Sequence, residues 1–225
     1  MIIAIDGPSG AGKSTLGRML AKKLGLLYLD TGAMYRAVAL SVLRKKIPFK
    51  SEMEVAEVAE TAVIELGGEP DSLKIMLDGE DVSTEIRSLE VARAASVVST
   101  ISAVRRIMVD HQRAIGENAK NGCVLEGRDI GSVVFPNADF KFFLTAQPEA
   151  RARRRFAEDA AKGRTSTFEQ TLAEINERDD RDVSRRDSPL TIADDAVVID
   201  TSELDLTEVF ERMLFSIERG DASAA

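Results

Sequence analysis

The sequence predicts an α/β fold in which helices cover both faces of a five-stranded parallel sheet. Five short apolar runs alternate along the chain with longer stretches whose apolar residues recur at helical spacing. The first run, IIAID, leads directly into a glycine-rich loop and then into a helical pattern. Strands that alternate with helices form parallel sheets, and the ligands of such sheets lie beyond the carboxyl ends of the strands.

Each element has a local signal of its own. The predicted strands cover residues 2–5, 26–29, 123–126, 140–144 and 196–199. The predicted helices cover residues 16–24, 35–42, 51–66, 89–98, 104–118, 148–162, 168–186 and 206–218. Four of these predicted helices are each followed by a residue that ends a helix, namely Gly25, Gly67, Gly163 or Pro189. Pro148 suits a first helical turn.

The stretch from residue 69 to 86 departs from this alternation. Residues 73–77 form a strand-like run, Asp78-Gly79 is a hairpin turn, and the return strand continues toward Val82 and Ile86. We therefore predict a small β insertion that lies apart from the main sheet.

Bulk composition argues against several classes of function. The 225 residues carry a formal net charge of −8, which disfavours a nucleic-acid polymer as the main partner. No run of 18 apolar residues predicts a membrane span, and the N-terminal MIIAIDG is typical of a first strand, not of a secretory signal. A single cysteine, Cys123, suits a reducing compartment. We expect a cytoplasmic protein with no membrane partner.

The loop after the first strand matches the phosphate-binding pattern G-x-x-x-x-G-K-[ST]. Its glycines let the backbone wrap with the N–H groups pointing inward, and the next helix directs its positive end at the phosphates. Lys13 is placed to reach the β- and γ-phosphate oxygens, and Ser14 is the predicted ligand of Mg²⁺. The predicted nucleotide-binding residues of this loop are Gly7, Pro8, Ser9, Gly10, Ala11, Gly12, Lys13, Ser14 and Thr15.

The fate of the bound phosphate separates three classes of protein. A GTP-dependent switch would carry N-K-x-D and D-x-x-G motifs, and the sequence contains neither. A motor or regulatory ATPase usually carries four apolar residues before an acidic pair, for which residues 124–126 are only a short candidate. A small-molecule kinase instead needs a second anion pocket that faces the loop and a basic lid that excludes water.

Charged side chains cluster where this second pocket is expected. Thr31 and Arg36 follow the second strand, and Arg128 and Asp129 follow the third. Arginine is suited to such a pocket because its planar fork can pair with two phosphate oxygens at once. Four charged residues of the predicted helix 168–186 recur at three- and four-residue spacing and share one face: Arg178, Arg181, Asp182 and Arg185. Ordinary ion pairing along an exposed helix would give the same pattern.

Six motifs, in order along nearly the whole chain, resemble those of the bacterial cytidylate kinases, which belong to the nucleoside monophosphate (NMP) kinases. They are IDGPSGAGKST, LDTGAMYRAVAL, LDGEDVSTEIRS, VARAAS, EGRDIGSVVFP and ERDDRD. The resemblance implies a monomeric P-loop kinase that transfers the γ-phosphoryl of ATP to CMP or dCMP with Mg²⁺. It also implies an NMP-binding insertion at about 36–97, a helical lid at about 148–170 with a flanking helix at 168–186, and a core at about 1–35, 98–147 and 187–225.

The resemblance also implies the roles of individual residues. Those that would grip the acceptor phosphate are Thr31, Arg36, Arg128 and Arg185. Those that would read the cytosine are Ser96, Arg105 and Asp129, and those that would contact the sugar hydroxyls are Arg178 and Asp182. The lid over ATP would contain Arg151, Arg154 and Arg155. The implied catalytic set is Lys13, Arg128, Arg151, Arg155 and Arg185.

The physical chemistry of the base agrees with the role of Asp129. Cytosine carries an amino group at C4 that can donate to a carboxylate, whereas uracil carries a carbonyl there, which a carboxylate repels. Two alternatives stay open at this point. One is a kinase for UMP and CMP or for another monophosphate, and the other is a nucleotide-gated binding protein that uses the loop only to switch shape.

Overall fold

The computed structural model describes residues 1–161 and 163–220 and confirms the predicted α/β class. Lys162 and residues 221–225, which belong to the predicted lid and core segments, lie outside the described residues. Within the described ranges, no helix is long and apolar enough to cross a membrane.

Eight strands and eight longer helices are found in these ranges. The strands are β1 (Ile2–Asp6), β2 (Leu27–Asp30), β3 (Ile64–Gly67), β4 (Lys74–Leu77), β5 (Glu80–Asp81), β6 (Cys123–Glu126), β7 (Phe140–Thr145) and β8 (Val197–Asp200). The helices are α1 (Lys13–Leu24), α2 (Thr31–Arg44), α3 (Glu52–Thr61), α4 (Leu89–Val98), α5 (Ser102–Glu117), α6 (Pro148–Ala161), α7 (Phe168–Ser184) and α8 (Leu206–Arg219). A single π-helical turn, Ile130–Val134, follows β6.

The main sheet has the order β2-β6-β1-β7-β8, and all four of its pairings are parallel. Strand β1 is central, and the chain runs to opposite sides of it before and after β6. Such a change of direction opens a crevice at the carboxyl ends of the strands. In the register of this sheet Ile5 lies beside Glu126, and Glu126 lies beside Asp30, so that several acidic residues meet at this edge.

Apolar layers on the two faces of the sheet hold it in place. One layer includes Leu29, Met34 and Leu125 with residues of α2, α4 and α5. The other includes Ile5, Leu16 and Phe142 with residues of α1 and α8. A parallel sheet that is covered on both faces needs apolar residues at successive positions, which explains why the inner strands β1 and β6 are continuous apolar runs up to their last residue.

The predicted helix through Leu66 is wrong over its last five residues. Helix α3 ends at Thr61, and Ile64–Gly67 forms strand β3, which pairs antiparallel with β4. The β-branched residues Val63 and Ile64 favour the extended backbone. A two-stranded hairpin is only marginally stable alone, so the third strand stabilises the predicted β insertion.

Other boundaries differ in smaller ways. The return strand β5 stops at Asp81, and a short 3₁₀ helix at Glu85–Arg87 follows, so that Ile86 is buried without belonging to a strand. Helix α7 stops at Ser184, and Arg185 has an extended backbone. Arg185 therefore ends the helix, and its side chain still lies beside Asp182, as the predicted shared face requires.

We expect Gly7→Ala to destabilise the fold, because a Cβ atom at this position would lie 2.0 Å from the carbonyl oxygen of Leu144 in β7. The matched control is Gly79→Ala, since Gly79 also has a positive φ, +82° against +140° for Gly7, but no atom within 4 Å. Denaturant titrations should show that Gly7→Ala loses about 1–3 kcal/mol more free energy of unfolding than Gly79→Ala. Equal losses would show that the contact with β7 does not matter.

Candidate active site

One large cleft lies at the carboxyl ends of the main strands, with a volume of about 1770 Å³. Single-ligand pockets are usually about 300–1000 Å³, so this cleft has room for two nucleotides. Its walls come from the phosphate loop, the start of α2, the end of α4, the turn after β6, and α7. Every predicted site residue lines the cleft except Gly7, Pro8 and Arg151.

The phosphate loop forms one end of the cleft and is already ordered around Lys13. The Nζ atom of Lys13 donates to the carbonyl of Pro8 at 2.7 Å. Burial and, after it, the nearby charge of Arg128 lower the pKa of Lys13 to about 7. A phosphate bound in the loop would favour the charged ammonium form, because opposite charges stabilise each other strongly in a buried site.

Glu126 lies beside this loop at the end of β6 and is held by two hydroxyl groups. The Tyr28 hydroxyl donates to Glu126 Oε1 at 2.5 Å, and the Ser14 hydroxyl also bonds the carboxylate. Burial and the charge of Asp30 raise the pKa of Glu126. No local sequence pattern pointed to Tyr28, whose partner lies 98 positions away.

The acceptor side of the cleft begins at α2. The Thr31 hydroxyl donates to the backbone carbonyl of Glu126 at 2.6 Å, which fixes its oxygen at the wall of the cleft. Arg36 pairs with Asp30 at 2.7 Å. Although burial opposes ionisation of Asp30, Arg36 and the N–H of Ala33 hold its pKa below the ordinary value. Among the described residues, Arg36 Nε is buried without a hydrogen-bond partner.

Asp182 joins two further cations of this wall. Arg128 Nε donates to Asp182 Oδ2 at 2.7 Å, and Arg185 Nη1 lies 3.5 Å from Asp182 Oδ1. Burial and the charge of Arg105 lower the pKa of Arg185. Arg185 Nε and Nη2 are both buried with no partner in the described part of the chain. The wall therefore presents guanidinium donors that an anion in the cleft would satisfy.

Arg105 and Asp129 form a buried ion pair at the far end of the acceptor side. Arg105 Nη2 lies 2.5 Å from Asp129 Oδ2, and Arg105 Nη1 donates to the carbonyl of Ser99 at 3.2 Å. The guanidinium also lies over the ring of Tyr35, 5.5 Å from its centroid. Ser96, one turn before Ser99 on α4, lines the same cleft. The structure thus brings together the three residues that were predicted to read the base.

Arg178 reaches toward the phosphate loop. Its Nη1 atom lies 3.4 Å from the Ser9 hydroxyl, and burial together with the charge of Arg128 lowers its pKa to about 10. Arg178 therefore lies between α7 and the phosphate loop. Asp182, its predicted partner at the sugar, is engaged with Arg128.

The three predicted lid arginines are in different environments. Arg154 and Arg155 line the cleft, and Arg154 donates to the hydroxyl of Thr201 at 3.0 Å. Arg151 is only 3% exposed, and it lies against the phosphate loop, where its guanidinium donates to the carbonyl of Ser9 at 3.2 Å and pairs with Asp179 at 2.7 Å. In this arrangement Arg151 supports the loop and joins it to α7, and it does not line the cleft.

Sequence reasoning missed Asp6, which connects the two halves of the cleft. Its carboxylate accepts from the N–H groups of Ile130 at 2.8 Å and Gly131 at 2.7 Å, directly after Asp129. Asp6 is buried, and its own chain continues into the phosphate loop at Gly7. An acidic residue at the end of an otherwise apolar strand was the available signal.

Comparisons with known proteins agree with this arrangement. The sequence model of the family described as cytidylate kinase matches residues 3–219. The chain belongs to the cytidylate kinase family. A cytidylate kinase from Caldanaerobacter subterraneus subsp. tengcongensis is 52% identical over 96% of this chain and 94% of its own length, and one from Geobacter sp. strain M21 is 47% identical over 95% and 91%.

A solved structure shares the fold at low identity. A crystal structure of an uncharacterized protein from Eubacterium ventriosum aligns with a TM-score of 0.55 at 10% identity, over 97% of this chain and 98% of that one. Family membership confirms the predicted resemblance and the prediction of an ATP-dependent phosphotransferase that acts as a CMP kinase.

Asp6→Asn is expected to change how stability depends on pH. Burial raises the pKa of Asp6 from its ordinary value of 3.8 to about 6. The folded chain therefore binds this proton more tightly than the unfolded chain. The contribution of Asp6 to stability is complete below pH 3.8 and is lost as the pH rises through about 6.

Urea titrations of both proteins between about pH 3.5 and about pH 7 test this prediction. The free energy of unfolding of wild type, minus that of Asp6→Asn, should fall by roughly 3 kcal/mol over this interval. A difference that stays constant with pH would mean that Asp6 does not titrate in this way.

Proposed function

We propose that the cleft binds ATP at the phosphate loop and CMP or dCMP at the opposite wall, and transfers the γ-phosphoryl between them. The observation that carries this proposal is a pair of arginines, Arg36 and Arg185, whose buried, unpartnered donor atoms belong to residues that line the same cleft as the loop. A protein that only hydrolysed or sensed ATP would have no use for a second anion site of this kind.

The donor half would hold the phosphates of ATP with the N–H groups of residues 10–15 and with Lys13, while Arg154 and Arg155 lie at the rim of the cleft. The donor set fits Mg²⁺, because the Ser14 hydroxyl lies beside the Glu126 carboxylate and magnesium usually completes its octahedron with phosphate oxygens and water. In the described residues no group of three or more His, Cys, Asp or Glu could hold a metal alone. Neutralisation of charge at the β- and γ-oxygens is the chemistry that the ion supplies when bound.

The acceptor half would hold the phosphate of CMP between Thr31, Arg36, Arg128 and Arg185. Ser96, Arg105 and Asp129 would read the cytosine, and Asp182 would reach the sugar. Arg178, between this wall and Ser9, is placed to contact the phosphoryl group in transit as well. No residue needs to act as a general base, because an acceptor phosphate oxygen is already largely ionised at pH 7.

Positioning and positive charge supply most of the rate enhancement in such a reaction, since the transferred phosphoryl passes through a loose, anionic transition state. We propose that the insertion at about 36–97 and the lid at about 148–170 close over the core when both nucleotides are bound, which keeps water from competing as the acceptor. We further propose a monomer that works in the cytoplasm.

A coupled assay with ATP, Mg²⁺ and a panel of CMP, dCMP, UMP, AMP and GMP tests the proposal. We expect rapid ADP formation with CMP and dCMP and slow formation with the other three. Equal rates with UMP and CMP would favour a kinase of broader specificity. Hydrolysis of ATP that no monophosphate accelerates would favour a nucleotide-gated switch and would contradict the kinase reaction.

Asp129→Ala is expected to reduce discrimination between CMP and UMP more than it weakens ATP binding, because the carboxylate is the group that cytosine satisfies and uracil does not. The ratio of kcat/KM for the two substrates should fall by at least about tenfold, the effect of one charge-assisted hydrogen bond. The KM for ATP serves as the internal control. If kcat/KM fell equally for both substrates, Asp129 would not read the base.

Lys13→Ala is expected to lower kcat by at least about 100-fold, because it removes the cation nearest the transferring phosphate. Lys13 is a charged group held in a buried site, so its loss should leave the fold intact. Circular dichroism and a thermal melt provide the control. Near-normal turnover in a folded variant would contradict the role of Lys13.

A further inference from the structure

We propose that Arg181 is a specificity-determining residue, which polarises the Ser96 hydroxyl so that Ser96 donates a hydrogen bond to N3 of cytosine and disfavours uracil. This inference rests on the proposed function, because it concerns how the acceptor half of the same cleft recognises its base. Arg181 would act through Ser96 and would not itself need to touch the substrate.

Arg181 and Ser96 meet across the cleft, from α7 and α4 respectively. Arg181 Nη1 lies 2.7 Å from Ser96 Oγ, and both residues line the cleft. The direction of this hydrogen bond is certain from chemistry, because a guanidinium has five N–H donors and no acceptor. The oxygen of Ser96 therefore accepts, and its proton is available for another partner.

Two further contacts hold this pair in place. The other terminal nitrogen of Arg181 pairs with Glu177, one turn earlier on α7. At the C-terminal end of α4, the Ser99 hydroxyl donates to the backbone carbonyl of Ser96, and the Ser99 carbonyl accepts from Arg105, which pairs with Asp129. Ser96 and Asp129 are thus fixed relative to each other through the last turn of α4.

The charge of Arg181 makes the Ser96 hydroxyl a better hydrogen-bond donor than acceptor. A serine oxygen that accepts from a guanidinium is polarised, so its O–H becomes a stronger donor. The same positive charge repels a second N–H donor that approaches the oxygen. N3 of cytosine is an acceptor, whereas N3 of uracil carries a hydrogen and donates. Ser96 as donor and Asp129 as acceptor would therefore match cytosine at both N3 and the C4 amino group, and would mismatch uracil at both.

A simpler alternative is that Arg181 only holds α4 against α7 and has no effect on the Ser96 hydroxyl. The structure offers a matched control, because Arg93 on α4 pairs with Glu174 on α7 at 2.7 Å without contacting Ser96. If fastening were all that mattered, Arg93→Met and Arg181→Met would have similar effects. Both side chains are partly or largely exposed, at 36% for Arg181 and 72% for Arg93, so both variants should fold.

The experiment measures kcat/KM for CMP and for UMP, at saturating ATP and Mg²⁺, in wild type, Arg181→Met, Arg93→Met, Ser96→Ala and the double variant of Arg181 and Ser96. We expect Arg181→Met to lower the CMP-to-UMP ratio roughly tenfold. Arg181→Gln, which keeps a donor without the charge, should give an intermediate ratio. Arg93→Met should alter both substrates alike and keep the ratio within about twofold.

The double variant tests whether Arg181 acts through Ser96. We expect it to have the ratio of Ser96→Ala alone, because two changes that remove one interaction are not additive. A wild-type ratio in folded Arg181→Met, or an independent tenfold loss in the double variant, would overturn the inference and leave the kinase reaction standing. Equal use of CMP and UMP by wild type would overturn both the inference and the cytosine specificity on which it rests.

Discussion

Repulsion among buried cations is the constraint on which the cleft of this protein depends. Burial and neighbouring positive charge lower the pKa values of Lys13, Arg178 and Arg185 together. Asp182 offsets part of this repulsion, and Arg128 and its neighbours keep the carboxylate ionised despite burial. Opposite charges from two bound nucleotides would relieve the rest. In the proposed function, the free energy of phosphate binding would therefore come partly from the release of this repulsion.

The strand ends convert this charge distribution into a two-sided site. Asp6 begins one side by leading into the phosphate loop, and it holds the turn after Asp129 on the other side through two backbone hydrogen bonds. Glu126 also contacts both sides of the cleft, since its carboxylate bonds Ser14 of the phosphate loop and its backbone carbonyl accepts from Thr31 on the acceptor side. A displacement of either half would therefore be transmitted to the other through these strands, which in the proposed function would keep the spacing of donor and acceptor phosphates.

Much of this could be predicted from local sequence, and the remainder could not, for a physical reason. The loop at residues 7–15 and the clusters after β2 and β6 follow from strand ends, which alternation locates within a residue or two. The support role of Arg151 depends on Asp179 in a different helix, and the bond between Tyr28 and Glu126 spans 98 positions. The helix predicted through Leu66 failed because pairing with β4 outweighs the local pattern. Contacts between residues that are far apart in the chain cannot be predicted from local sequence patterns.

Affinity and discrimination have separate origins in this cleft. On the phosphate side, Arg36 and Arg185 keep buried donors without partners, so any suitably placed phosphate gains charge-assisted hydrogen bonds there. On the base side, Arg105 and Asp129 already satisfy each other, and Arg181 already occupies Ser96. A base that merely occupies the base side therefore gains little binding free energy. A base whose donors and acceptors do not match those of the wall loses much more, because buried polar groups are then left unpaired. In the proposed function, this division would let the site bind the phosphate of any nucleoside monophosphate and still select one base.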